Sequence, residues 1–121
     1  MLRYWLKQPQ AKAFREMLPV MGVDGSLADN CKDCPAKGKV FAKVGTTSLP
    51  DYVNVRLVDN ESLGGYMEVK PGRFHVFYLM VNGASAKNVD DVLKIYNDVN
   101  DISAILQEDA SNQGGASQGD Q

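Results

Sequence analysis

Phe74-His75-Val76-Phe77-Tyr78-Leu79-Met80-Val81 is an apolar and aromatic run interrupted only by a histidine. Its β-branched and aromatic content, and the turn chemistry of Lys70-Pro71-Gly72-Arg73 just before it, read as a strand entered from a tight turn. Both parities of the run are apolar, so the expectation is a central strand covered on both faces. Working outward, Gly64-Gly65-Tyr66-Met67-Glu68-Val69 is a second strand across that turn. Tyr52 to Val58 alternates, with Val53, Val55 and Leu57 on one face and Asn54 and Arg56 on the other, which is strand periodicity. Lys39-Val40-Phe41-Ala42-Lys43-Val44-Gly45, between glycines, is a further short strand. Strands following one another across short turns make an antiparallel meander.

Helical spacing flanks the strands. Val89, Val92, Leu93, Tyr96, Val99, Ile102 and Leu106 mark the apolar face of a long helix, and Asn88, Asp90 and Asp91 suit its N-terminal end. At the other terminus Leu2, Trp5 and Leu6, then Phe14, Met17 and Leu18, repeat helical spacing around Pro9 and before Pro19. The first of these patterns starts without a cap, as if something upstream were missing. Gly22 to Gly38 is loop-like, and after Glu108 no large apolar side chain remains. The reading is α+β: an antiparallel sheet of three to four strands packed by a long C-terminal helix and an N-terminal helical segment. It places one domain at 1–107 and a disordered tail at 108–121.

Composition narrows the function classes. The 121 residues have room for one ordinary domain. Thirteen basic against fifteen acidic side chains leave a net charge of −2, without the basic excess of a nucleic-acid binder. No apolar run is long enough to span a bilayer, and Met1 to Lys7 lacks the pattern of a signal peptide. One histidine and two cysteines are too few soft ligands for a four-coordinate zinc site, so no metal and no cofactor are expected.

Four motifs stand in order. Leu18-Pro19-Val20-Met21-Gly22-Val23-Asp24-Gly25-Ser26-Leu27 comes first, then Gly38-Lys39-Val40-Phe41-Ala42-Lys43-Val44-Gly45-Thr46-Thr47. Leu63-Gly64-Gly65-Tyr66 and Phe77-Tyr78-Leu79-Met80-Val81-Asn82-Gly83 follow, before the closing helix. In order and spacing these resemble the C-terminal part of the D-alanyl-D-alanine carboxypeptidase/endopeptidase family of penicillin-binding proteins, over most of residues 1–107. The resemblance implies part of a β-lactamase/transpeptidase-like domain acting on peptidoglycan stem peptides, in an extracytoplasmic setting at the periplasm or cell surface. It implies that the Lys-x-Gly strand is one wall of an acyl-transfer site and pairs with the substrate backbone. Lys43 would supply positive charge near the substrate carboxylate, and Gly45 would allow close approach. Thr46 would share in binding that carboxylate, and a backbone N–H near Thr46 or Thr47 would serve the oxyanion hole. Read alone, Lys39 and Lys43 would be solvent-facing lysines guarding an edge strand; the flanking motifs turn the reading toward a site.

Two departures from the family pattern carry weight. Val44 stands where that pattern has threonine, deleting a hydroxyl worth roughly 1.5–3 kcal/mol toward a charged ligand. None of the seven serines is followed three residues later by lysine, so the nucleophile and its base are absent from this sequence. Tyr52-Val53-Asn54 imitates a second catalytic motif but follows the Lys-x-Gly strand instead of preceding it, and is read as coincidence. The expectation is a segment of a serine-type D-Ala-D-Ala carboxypeptidase, inactive alone, that meets peptidoglycan peptide or β-lactam only together with an upstream region. The alternative is a non-catalytic binding or interaction module descended from such a domain.

Among the remaining residues, Cys31 and Cys34 lie in a loop beside Pro35, not at a helix start inside a βαβ unit. A loop disulfide or two idle thiols fit that setting better than a redox dithiol or half a zinc site. His75 has no Cys, Asp or Ser patterned around it and reads as structural; Asn60-Glu61-Ser62 is a sequon without a secretory context. With upstream strands absent, one side of the sheet is expected to stay open along Phe74 to Val81, which favours a homodimer or other self-association through that edge.

Overall fold

The computed structural model describes residues 1–113. Two short helices, α1 (Leu2–Leu6) and α2 (Ala11–Glu16), precede a loop and three strands, β1 (Val40–Asp51), β2 (Arg56–Lys70) and β3 (Arg73–Ala86). A long helix, α3 (Val89–Gln113), closes the described chain. The strands form one antiparallel sheet in the order β1-β2-β3, so the α+β architecture expected from the sequence is the one observed.

Tyr66 anchors the small helices. Its ring is fully buried, and its hydroxyl donates to the Leu2 carbonyl at 2.7 Å. Phe14 meets it edge-on at 6.2 Å and stacks on Trp5 at 5.0 Å, so one aromatic column ties α1 and α2 to this face of the sheet. Arg15 lies 3.9 Å over the Phe74 ring, and Phe74 meets Phe41 edge-on. The opposite face holds the core of Val40, Ala42, Leu63, Met67 and Val69 against Met21, Leu27, Val99 and Ala104.

Several expectations are corrected. The segments Tyr52–Val58 and Gly64–Val69 are not separate strands; from Arg56 onward they are one strand, β2, and Tyr52 to Val55 is the tip of the β1–β2 hairpin. The cause is Asp51, whose carboxylate accepts the backbone N–H groups of Val53 and Asn54, the Asn54 side chain and the Arg56 guanidinium. Those bonds turn the chain at once and hold the Asp51 carboxyl down at about 2. The alternation of Val53 and Val55 therefore has no core behind it: the two are 90% and 87% exposed, and Val55 sits at φ +50, strained for a β-branched residue. The β2–β3 ladder bulges beside Asp59 and Asn60, where Gly83 at φ +68 supplies the extra residue of β3 and donates to Asn60 Oδ1.

The run Phe74 to Val81 is not central. Among the described residues β3 pairs only with β2 and lies at the sheet edge, with Tyr78 59% and Met80 54% exposed. The face of α3 also differs from the expected one. Val89, Leu93, Ile102, Ile105 and Leu106 are exposed, while Val99, Asn100, Ser103, Ala104 and Gln107 are buried. Small Ser103 and Ala104 admit the sheet closely, and most of the polar groups there are answered, Asn100 Oδ1 excepted. Gln107 Nε2 donates to the Glu68 carbonyl, Asn100 Nδ2 to Asn30 Oδ1, and Ser103 Oγ to the Asn100 carbonyl. Ala110 packs on the core, and the helix runs on to Gln113 where the sequence reading ended it near Leu106. The remainder of the expected tail, 114–121, lies outside the described residues.

Candidate functional site

The first motif, Leu18 to Leu27, is scaffolding for the second. Gly22 at φ +71 has no room for a Cβ, which would stand 2.9 Å from the Cys31 carbonyl oxygen. Asp24 Oδ1 accepts the Val20 N–H at 2.8 Å, and buried Leu27 fills the loop interior. The turn so made lays Pro19, Val20 and Met21 along the outer edge of β1: Met21 N–H donates to the Val40 carbonyl and Ala42 N–H to the Pro19 carbonyl, both at 3.0 Å. This cover ends at Ala42. Among the described residues, the outer edge of β1 is open from Lys43 onward.

Strand alternation then sorts the candidate residues. Lys43, Gly45 and Thr47 fall on one face, and Val44, Thr46 and Ser48 on the other, beside α3. Lys43 is exposed, and its ammonium donates to the Val44 carbonyl at 2.9 Å. Gly45 lies opposite Ser62, whose Oγ would stand 2.8 Å from any added Cβ. A groove of about 240 Å³ runs over Gly45, Thr47, Ser62, Tyr78 and Met80. Lys43, Gly45 and Thr47 are thus brought to one side of an open edge. Thr46 also borders the groove, but its side chain is not with them: its hydroxyl donates to Glu61 Oε2 at 2.8 Å on the opposite face, so its backbone is what addresses the edge. Val44 packs toward the core.

Cys31 and Cys34 face each other with Cα atoms 5.0 Å apart, within disulfide reach, in the loop beneath Asn30 and away from the groove. His75 lies exposed on β3 opposite Met67. The described residues contain no cluster of three or more metal-ligating side chains. No helix among them is long and apolar enough to cross a membrane.

Asp59 and Glu61 are residues that sequence reasoning missed. Both are buried behind the Lys-x-Gly strand, 0% and 1% exposed. The signal was available in their parity: they share the strand face of Leu57, Leu63 and Met67, so two carboxylates stood in an inward-facing row.

Residues 1–102 match the family model described as D-Ala-D-Ala carboxypeptidase 3 (S13) family. No curated protein and no solved structure matches the chain.

Proposed function

The chain belongs to the D-Ala-D-Ala carboxypeptidase 3 (S13) family, and from that premise we propose that its β1 edge is the substrate-binding wall of a serine-type carboxypeptidase/endopeptidase acting on peptidoglycan stem peptides. The observation that carries this reading is the edge itself. Backbone cover by Pro19 to Met21 stops at Ala42, and the next outward-facing N–H and C=O groups, those of Val44 and Thr46, are where an extended peptide can add as a strand. Lys43 supplies the cation at the start of that edge, and Gly45 removes the side chain that would stand between ligand and sheet. Thr47 offers a hydroxyl on the same face, while Thr46 contributes backbone only.

In this reading the attacking serine and its lysine come from outside residues 1–121, since no Ser-x-x-Lys occurs here. The open edge of β3 and exposed Ile102, Ile105 and Leu106 support a larger penicillin-binding, β-lactamase-like domain around these residues. So does a groove of about 400 Å³ between β3 and α3, lined by Met67, Phe77, Leu106 and Ala110. A Cys31–Cys34 disulfide would suit an extracytoplasmic setting. Thiol labelling of the unreduced protein is then expected to find no free cysteine, and labelling of both would discard that pairing.

Intact mass after incubation with a labelled penicillin tests the site. The chain alone is expected to gain no covalent adduct, because none of its serines is activated by a neighbouring lysine. Joined to a family member's upstream serine-bearing region it is expected to acylate, and Lys43→Ala in that protein should abolish most of the adduct. A stoichiometric adduct on the chain alone would overturn the division of labour. Undiminished acylation in Lys43→Ala would remove Lys43 from the site.

A further inference from the structure

Asp59 and Glu61 stand two residues apart on the α3 side of β2, and β1 pairs with both in unbroken register: Ser48 opposite Asp59, Thr46 opposite Glu61. Each carboxyl accepts one hydroxyl, from Ser48 Oγ to Asp59 Oδ1 at 2.5 Å and from Thr46 Oγ1 to Glu61 Oε2 at 2.8 Å. That leaves Asp59 Oδ2 and Glu61 Oε1 buried without a partner. Both carboxyls project from the same face of β2, two residues apart, behind Thr46 and Ser48.

Among the described residues no cation pairs with either carboxyl. From β1 they meet only the hydroxyls of Thr46 and Ser48, since Lys43 projects from the other face. From β3 their pairing partners are Ala84 and Val81. On α3, Asp91 and Lys94 pair with each other, and among the described residues no ion pair reaches Asp59 or Glu61. Neighbouring buried carboxylates without a counter-charge do not both ionise, and a single proton between two such oxygens satisfies both.

We propose that Asp59 and Glu61 share one proton, forming a pH-sensitive lock behind the strand that carries Thr46 and Thr47. The proton is kept on folding where the unfolded chain would lose it, and the pair then bears one negative charge instead of two. The inference stands independently of the function proposed above. Glu61 moves in the direction this requires: burial raises its carboxyl above the ordinary value, Asp59 raises it further, and the Thr46 hydroxyl opposes. For a group raised on folding, the contribution to stability is complete below the unfolded value and is lost as pH rises through the folded one. Above that point two carboxylates repel each other directly behind the hairpin, and the register of β1 on β2 loosens there first.

Infrared spectroscopy of the full chain through a pH titration, with urea unfolding at each pH, decides it. Wild type is expected to keep the carbonyl band of a protonated carboxylic acid above the ordinary glutamate range, and to lose stability as that band disappears. Glu61→Gln replaces the shared proton with an amide hydrogen while keeping an acceptor for Thr46. It is expected to lack the band and to hold the same unfolding midpoint across that pH interval. Asp59→Asn, which offers an amide donor from the other side, should do the same and serves if Glu61→Gln fails to fold. A wild-type chain without the band above the ordinary glutamate range overturns the proposal. So does a band unchanged in both amide variants, or a wild-type stability profile as flat as theirs.

Discussion

Gly65→Ala is expected to unfold the chain or come close to it. A Cβ at Gly65 would stand 2.0 Å from the Phe41 carbonyl oxygen and 2.7 Å from the Ala42 Cα, so the obstruction is backbone on both counts and no side-chain rotation relieves it. Gly65 pairs with Ala42 in the middle of the β1–β2 ladder, between Lys43↔Gly64 and Phe41↔Tyr66. Displacing the strands there strips Val40, Ala42 and Met67 from the core and moves Tyr66 from under Phe14. Overpacking that a core can absorb costs about 1–3 kcal/mol. Here the clash cannot be absorbed locally, and a loss of about 4 kcal/mol or more is expected, a large share of the total stability of a small domain. Gly64→Ala is the matched control. Its Cβ would meet Tyr78 Cδ2 at 2.8 Å, the edge of an exposed ring that can swing away, so about 1 kcal/mol is expected. Urea unfolding followed by circular dichroism compares them. Equal midpoints for the two variants would show that β1 and β2 do not approach as closely at Gly65 as described.

The same pair of glycines shows which parts of the structure were legible in the sequence. Gly64-Gly65 inside a strand pattern signals close backbone approach, and that is where the ladder is tightest. The Pro71-Gly72 turn was legible for a similar reason, because Gly72 at φ +76 follows proline in the order a tight turn needs. The faces of α3 were not. Hydropathy points Leu93, Ile102 and Leu106 inward, whereas the helix turns Asn100, Ser103 and Gln107 to the sheet, because a loop residue and a strand carbonyl from far along the chain are there to bind them. Such partners are invisible to periodicity. The hairpin tip was hidden likewise, since Val53 and Val55 alternate like strand residues and only the side chain of Asp51 says that the chain reverses there.

For the candidate site, the ordered motifs led to Lys43, Gly45 and Thr47 along one open edge. Thr46 shows the limit of that reading. A motif names residues in sequence, and strand parity then decides which of them share a face. Thr46 goes to Glu61 for the same reason that Lys43 and Gly45 reach the groove side.

Self-association through β3 is the second large effect expected. β3 runs from Arg73 to Ala86, and among the described residues nothing pairs with its outer side. It contains no lysine and no proline, its exposed side chains include Tyr78 and Met80, and the irregularities of its ladder lie at its two ends, beside Arg73-Phe74 and at Asn82-Gly83. These are the features that natural sheet edges avoid, because free N–H and C=O groups on a flat apolar strand template a second chain. The neighbouring α3 surface adds to the drive: Ile102 and Ile105 are 46% and 63% exposed on the helix that flanks the strand. A second copy pairing β3 against β3 would continue the sheet and draw this apolar surface out of water. The expected species is therefore a dimer or larger assembly that dissociates only on strong dilution. Met80→Lys puts a charge on the exposed edge without entering the core, and in a two-fold pair it counts twice. It is expected to weaken association at least tenfold, about 1.4 kcal/mol, while leaving the unfolding of the monomer nearly unchanged. Light scattering across a dilution series measures the first quantity, and amide exchange along Phe74 to Val81 locates the interface. Wild type should show protection there that fades on dilution, and Met80→Lys should show less. A wild-type monomer at all concentrations, with those amides protected throughout, would mean that another segment already pairs with β3. The open-edge argument would then fail, and with it the support this edge lends to a larger domain built around the β1 wall.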